Sequence, residues 1–511
     1  MNETAGQPPL AASLGQWLRS VLAPGAALVA DSRAVRPGDA FIAWPGASAD
    51  GRQFIGQALA RGAAAVLYED DGQAPAADAP PVPSRAVPGL RHLAGPIAAE
   101  YYGHPASRLE VVAVTGTNGK TSCTQWIARG LARTGRRAAV IGTLGSGIMG
   151  HPDAPTQLEP FGLTTPDAVA LQRMLAGFVQ AGVEVVAMEA SSIGIDQGRL
   201  NGMPIGTAVF TNLSRDHLDY HGSEEAYFEA KRRLFSWPGL CTAIVNGDDA
   251  SAPAILDAVP GPVQTVAFGQ LPGEHGWRAR RKLSAYEIHD ERDGVRVSVG
   301  GDWGRAQIRL QVLGHFNVVN AMAVATVWMS LGMPFEEAMQ GLEALQPLPG
   351  RMEQVVVERC PLVVVDYAHS PDALLNVLQA LQPIAHARGG LLWCVFGAGG
   401  DRDAGKRPIM GMVAERFADR VVVTSDNPRS ETPFRIVSDI RAGFMREPWL
   451  TELDRGEAIR HAITAAGVDD LVLIAGKGHE EYQEIAGDRL PFSDREVARR
   501  WLAQRLETVH V

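Results

Sequence analysis

Residues 111–124 read VVAVTGTNGKTSCT, an apolar β-branched run that gives way to two glycines, a lysine and several hydroxyl side chains. The run predicts a buried strand, and the glycine-rich segment after it predicts a phosphate-holding turn. Gly116 and Gly119 let the backbone turn sharply and aim its N–H groups at phosphate oxygens. Lys120 can reach terminal phosphates, and the Thr121 hydroxyl is suited to magnesium. A helix opening here adds the favourable end of its dipole. The full phosphate-loop pattern also wants a glycine five residues before Gly119; Val114 stands there. A plain glycine turn with an exposed lysine is the bland alternative. A buried strand before the turn and a helix after it weigh against that, so nucleotide binding is expected.

Outward from this loop, three regions separate. Residues 1–109 hold strand-like AFIAWPG and AAVLYED, with helix-like FIGQALARG between them, and a Pro/Ala-rich QAPAADAPPVPSRAVPG that reads as a surface loop. This is a small mixed α/β module. Residues 110–347 alternate: after the strand that leads into the loop come AAVIGT, a helix in PDAVALQRMLAGFVQAG with Pro166 near its start, then VEVVAMEAS, GTAVFTNL and TAIVNGD. Such alternation predicts a largely parallel sheet with helices on both faces. A β-rich part (AYEIHD, VRVSVG, QIRLQVLG) precedes FNVVNAMAVATVWMSLG, a buried helix by composition. Pro347 and Pro349 mark the next boundary, and residues 348–511 alternate again as a doubly wound, Rossmann-like α/β unit. The fold class expected is therefore α/β in three domains, with a central ATPase domain of phosphate-loop type.

Composition narrows the function. A net charge of -10 lacks the basic footprint of nucleic-acid or membrane-surface binding. Four widely spaced cysteines, Cys123, Cys241, Cys360 and Cys394, read as reduced packed thiols, not a disulfide or zinc framework. The N-terminal residues do not read as a signal peptide, and no apolar run reaches the roughly 18 residues of a membrane helix. A cytoplasmic monomer acting on small molecules, without nucleic acid or membrane insertion, is the expectation.

Glu189 ends the strand VEVVAMEA, and His217 lies in the loop after another strand end. Either alone is more often structural. Together, beside a phosphate loop, they suggest metal-assisted phosphoryl chemistry. Farther on, MEASS (188–192), TNLSRDHLDYHGS (211–223), YFEAKRRLF (227–235), GHFNVVNA (314–321), GRME (350–353) and VVDYAHSPDAL (364–374) come after TGTNGKTS in order. This set resembles the Mur ligase family over essentially the whole chain. GDRDAGKRP (400–408), DNPRSE (426–431) and AGKGHEEYQ (475–483) resemble the branch that adds meso-diaminopimelate to the cell-wall precursor.

That resemblance implies ATP and Mg²⁺ as cofactors, with Gly116, Thr117, Asn118, Gly119, Lys120, Thr121 and Ser122 around the phosphates. It implies Asn317 near the adenine, Arg351 near the phosphates and Asp366 near the ribose. It makes Lys120, Glu189, His217 and Lys231 catalytic, with Thr121 on a first magnesium, Glu189 and His217 on a second, and Lys231 a carbamate supporting the metal. Without the family, Lys231 in EAKRRLF is an ordinary basic helix face. For the uridine-diphosphate precursor it implies Ser32, Thr164, Thr165, Ser191, Gln197, Arg199 and Lys231. Ile193 replaces a histidine, and Leu163 an asparagine, found in some relatives. For diaminopimelate it implies Arg402, Asp426, Asn427, Pro428, Arg429, Gly476 and Glu480. Arg429 suits a distal carboxylate because a guanidinium is planar and bidentate.

The expected reaction is ATP-dependent amide formation at the D-glutamate γ-carboxylate of UDP-N-acetylmuramoyl-L-alanyl-D-glutamate, through an acyl phosphate. The alternatives are a lysine-adding or folylpolyglutamate synthetase-like ligase, against which DNPR and the N-terminal module respectively speak, and a non-catalytic nucleotide-binding scaffold. The base that deprotonates the amine has no candidate at this level.

Overall fold

The computed structural model describes residues 10–46, 49–72, 80–150, 157–270, 277–291 and 294–509, the side chains of 507–509 excepted. Three sheets carry the architecture, in the chain order the alternation predicts.

The first is four-stranded and parallel, running Leu28–Val29, Ala40–Ala43, Ala65–Glu69, Ser84–Val87. Its last strand corrects the expectation of a loop throughout QAPAADAPPVPSRAVPG. Ser84–Val87 pairs in parallel with Val66–Glu69, and an edge strand needs only one neighbour, so the half-polar segment SRAV can fill it. Residues 73–79 of that stretch lie outside the described set.

The central sheet has ten strands. From one edge they run Gly304–Leu310, Gly294–Gly301, Arg281–Glu291, Gln264–Gly269, Thr242–Asn246, Thr207–Phe210, Glu110–Thr115, Val185–Glu189, Ala138–Gly142 and Gly145–Ile148. Glu110–Thr115 lies between Thr207–Phe210 and Val185–Glu189, all parallel, with Val114 level with Glu189 and Thr115 with Phe210. Three loops therefore leave side by side from strand carboxyl ends where the strand order reverses, the general ligand position of open α/β sheets. The β-rich segments form the antiparallel edge. The helix starting at PDAV is capped by Asp167, whose side chain accepts from the Val169 and Ala170 N–H groups; Pro166 precedes it. Helix His315–Ser330 is apolar all round and buried over most of its length, with Trp328 Nε1 donating to the Ile127 carbonyl at 3.0 Å.

The third sheet runs Glu353–Val355, Leu362–Asp366, Leu471–Ala475, Leu392–Phe396, Arg420–Val423, Leu450–Thr451, parallel except at its first strand. Asp366, Ala475 and Phe396 are level, so the loops they lead into also meet. Behind them Arg455 donates to both Asp494 oxygens at 2.7 Å, to the Ser425 carbonyl at 3.1 Å and to the Ala475 carbonyl at 2.9 Å. Both side chains are 0% exposed. This pair ties the terminal helix Asp494–Val509 to the loop-bearing strand ends. Cys123, Cys360 and Cys394 are buried free thiols as expected, whereas Cys241 is exposed.

Removing one partner of a fully buried ion pair strands the other charge. Asp494→Ala is expected to lower unfolding free energy by about 3–5 kcal/mol, read from denaturant midpoints.

Candidate active site

A cavity of about 320 Å³ opens between the central and third sheets. The phosphate loop supplies Thr117–Ser122, neighbouring strand ends supply Glu189 and the 211–217 loop, and the third region supplies Arg351, Asp366, Tyr367 and His369. Gly116 and Gly119 adopt positive φ of 146° and 86°. A Cβ at Gly119 would strike the Asn320 side chain, so the turn requires glycine both for its backbone and for its packing.

The Thr121 hydroxyl sits at the centre of the contacts. It donates to Glu189 Oε1 at 3.0 Å and accepts from Arg351 Nη2 at 3.2 Å. Glu189 also accepts from the Thr143 N–H at 2.7 Å and the Thr143 hydroxyl at 3.2 Å. Lys120 Nζ folds back onto the carbonyls of Gly116 and Thr117 at 2.9 and 2.8 Å. Lys231 Nζ donates to the Gly116 carbonyl at 2.8 Å and lies 4.2 Å from the Tyr227 ring centre. Arg351 stacks 4.5 Å over Tyr367, and its Nε finds no protein acceptor. Three cations therefore gather around one loop of an acidic chain, a field suited to a polyanion such as a triphosphate.

Burial dominates the titration of these groups. It pulls Lys120 down, and it pulls Lys231 well below the ordinary lysine range with Lys120 repelling it further. Enclosure brings His217 down to about 4, Asp216 opposing and Lys120 assisting, so a neutral imidazole faces the cavity at pH 7. Burial raises Asp366 to about 6, against the attraction of Arg351, and its carboxylate accepts from the Met352 N–H at 2.8 Å. Asp216 is partly buried, but His217, His369 and Lys406 around it outweigh the desolvation and hold its carboxyl well below the usual range.

A second cluster adjoins the cavity in the third region. Lys477, fully buried, donates to Asn427 Oδ1 at 2.8 Å and Glu480 Oε2 at 3.0 Å, and Asn427 Nδ2 donates to the same Glu480 oxygen at 2.8 Å. Arg429 donates to the Gly400 carbonyl at 2.7 Å and lies 3.6 Å from Glu484. Asp426 is buried, with Oδ2 unpartnered and a Cβ at Gly476 barred by it. Pro428 precedes Arg429, whose φ of 52° is left-handed. Arg402 approaches Asp219 of the central region at 4.0 Å. Tyr367 joins this cluster to the cavity: it lines the cavity, and its hydroxyl is 3.5 Å from Glu480 Oε1.

Of the residues singled out in the sequence, Thr164, Ser191 and Asn317 also line the cavity. Thr165 lies behind it, donating to the Glu189 carbonyl at 2.8 Å. Arg199 binds Gln197 at 2.7 Å and the Thr165 carbonyl at 2.7 Å. Ser32 lies in the first region, 2.7 Å from Gln57 Oε1, and does not line the cavity. Sequence reasoning missed Thr143, Asn212, Asp216, Tyr227, Tyr367, His369 and Asp372. Asn212 accepts from the Asn118 N–H at 2.8 Å, and Asp372 accepts from Asn118 Nδ2 at 3.0 Å across the two regions. Six of them lie inside the quoted motifs: Asn212 and Asp216 in 211–223, Tyr227 in 227–235, and Tyr367, His369 and Asp372 in 364–374, the one signal that pointed to them.

The model of the Mur ligase middle domain matches residues 114–328, that of the glutamate ligase domain residues 350–478, and that of the Mur ligase family catalytic domain residues 26–102. A relative from Ralstonia nicotianae, named UDP-N-acetylmuramoyl-L-alanyl-D-glutamate--2,6-diaminopimelate ligase, is 48% identical over 98% of each chain. The chain belongs to the Mur ligase family. A protein of the same name from Pseudomonas aeruginosa is 47% identical to this Mur ligase over 93% of it and 94% of the relative. A solved structure with that name is 35% identical, with a TM-score of 0.63 over 96% of this chain and 99% of the other. The MurF ligase of Thermotoga maritima, solved with ADP, is 19% identical at a TM-score of 0.65, covering 95% and 98%, a likeness of fold alone.

His479, 5.4 Å from Tyr367, gives this Mur ligase a measurable acid dependence. Burial first, then Arg351 and Lys477, pull its imidazole from 6.5 to about 3. Between those values the unfolded chain binds a proton that the folded chain refuses, so stability falls as pH falls, by up to about 1.4 kcal/mol per pH unit. Unfolding free energies measured from pH 7 to 4 should fall by this amount on top of the contribution of His217, and His479→Asn should lessen the slope without abolishing it.

Proposed function

We propose that this chain is the ATP-dependent ligase that joins meso-2,6-diaminopimelate to the D-glutamate γ-carboxylate of UDP-N-acetylmuramoyl-L-alanyl-D-glutamate. The observation that carries it is the continuity, through Tyr367, of a cation-lined cavity with the Arg429–Glu480 cluster. The names borne by the full-length relatives agree with it. Residues 1–109 take the uridine end of the precursor at Ser32, residues 110–347 hold ATP, and residues 348–511 hold the amino acid. The cytoplasm, where ATP is abundant, is the natural setting.

Joining a carboxylate to an amine in water needs an activated leaving group. The γ-phosphoryl of ATP passes to the glutamate carboxylate, ADP leaves, and the amine then displaces phosphate from the acyl carbon. Backbone N–H groups of residues 119–122, with Lys120 and Arg351, hold the phosphates and offset charge on the transferring group, while those of Thr117 and Asn118 donate to Asn212 and fix the loop. Asn317 reads the adenine and Asp366 the ribose. Thr164, Thr165, Ser191, Gln197 and Arg199 orient the sugar-peptide. Mg²⁺ fits the donors present, since it favours one or two carboxylates plus phosphate oxygens and water over an all-protein cage; Thr121 would hold a first ion, and Glu189 with neutral His217 a second, supplying charge neutralisation. Lys231, held well below the ordinary lysine range by burial, suits carbamylation: its nitrogen bonds to CO₂ and a proton leaves, making an anion.

In the cluster, Arg429 pairs with the distal carboxylate of diaminopimelate, Glu480 with its distal ammonium, and Arg402, Asp426, Asn427, Pro428 and Gly476 shape the pocket. A panel of amino acids offered with ATP and the precursor, with products identified by mass, tests the function. Tripeptide is expected with meso-diaminopimelate; product with L-lysine alone would assign the lysine-adding reading, and no product with any would leave a scaffold.

Losing one partner of a desolvated charge pair costs about 2–5 kcal/mol, so Arg429→Ala should cut kcat/KM for meso-diaminopimelate by ~30-fold or more. ATP affinity, measured by titration calorimetry, should not change.

A further inference from the structure

We propose that His369 is the general base that accepts the proton of the attacking ammonium, a role resting on the ligase reading above. His369 stands where the phosphate-holding cavity meets the amino-acid cluster, with one ring nitrogen committed and the other free. Nδ1 lies 2.8 Å from the Tyr367 carbonyl, which can only accept, so Nδ1 carries the hydrogen and Nε2 carries the lone pair. The side chain is 39% exposed and lines the cavity. Asp216 Oδ2, from the central region, lies 3.9 Å from Nε2. That is beyond a hydrogen bond, yet near enough to steady an imidazolium.

The surroundings favour the free base before reaction. Desolvation by the cavity walls first, then Lys406 and, more weakly, Arg351, hold this imidazole below its ordinary range, against the pull of Asp216 and the Tyr367 carbonyl. The His369 ring lies 4.8 Å from the Tyr367 ring, whose hydroxyl reaches Glu480. An amino acid anchored by Arg429 and Glu480 would thus bring its reactive nitrogen past His369 on the way to the phosphates.

Other cavity groups are engaged. Lys120 and Lys231 donate to backbone carbonyls, Glu189 accepts from Thr121 and Thr143, and Asp366 accepts from Met352. His217 Nε2 lies 3.7 Å from Asp216, with Lys120, His369 and Lys231 as its other charged neighbours.

In this step the ammonium nitrogen gives one proton to His369 Nε2, and its freed pair forms the C–N bond at the acyl carbon. The acyl C–O bond then breaks, its electron pair leaving with phosphate. The second proton lost from nitrogen goes to that phosphate, yielding the amide.

The test compares two nucleophiles on the same acyl phosphate. Hydroxylamine is uncharged at neutral pH and needs no base before attack, whereas diaminopimelate does. His369→Asn retains a donor for the Tyr367 carbonyl but has no basic nitrogen. Its ratio of tripeptide to hydroxamate formation, at saturating ATP and precursor, is expected to fall ~100-fold or more from the parent ratio, the usual range for a lost general base. His369→Gln should give the same fall. An unchanged ratio would overturn the proposal, whether both rates drop together or neither drops. A parent that forms neither tripeptide nor ATP-dependent hydroxamate would instead refute the ligase reading itself.

Discussion

One hydroxyl joins the parts of this protein. Thr121 sits next to the phosphate-loop lysine, donates to the strand-end carboxylate Glu189, and accepts from Arg351 at the start of the third region. Another bond across the same junction, Asn118 to Asp372, starts from the loop itself, and Arg215 donates to Asp403 across it as well. Neither sheet alone builds the cavity. The phosphate loop supplies its floor, and the third region supplies the guanidinium, the buried carboxylate of Asp366 and the aromatic wall of Tyr367. Chemistry that needs a nucleotide and an amino acid together is thereby confined to the arrangement in which these regions touch.

The charge distribution arises from the same constraint. The chain is acidic overall, yet Lys120, Lys231 and Arg351 are drawn to one loop, each with limited access to water. Burial holds the two lysines below their ordinary range, and backbone carbonyls rather than carboxylates accept their hydrogen bonds. A site built so attracts an anion, and a nest of backbone N–H groups such as this loop offers is a geometry suited to phosphate. The amino-acid cluster is built the other way. There Lys477 and Asn427 hold Glu480 in place beforehand, and Arg429 lies close to Glu484 with one bond to a carbonyl.

Much of this was legible in the sequence because it is local. The strand, glycine turn and helix of 111–124 carry their own geometry, and the alternation of elements gave the three-sheet order. Ser84–Val87 escaped because pairing with Ala65–Glu69 overrides a loop-like composition. Lys231 looked solvent-facing because one basic helix turn resembles another; only the fold buries it beside Tyr227. Asp372 and His369 were illegible for a related reason. Their significance lies in the groups that face them from a sheet more than a hundred residues away, and periodicity carries no information about that.

The most direct test tracks an oxygen atom. The precursor is prepared with ¹⁸O in the D-glutamate γ-carboxylate and turned over with ATP and meso-diaminopimelate, and the released phosphate is examined by mass. An acyl phosphate formed in this cavity transfers one labelled oxygen to phosphate for every amide made. Amide formation that leaves the phosphate unlabelled would contradict an acyl phosphate at this site.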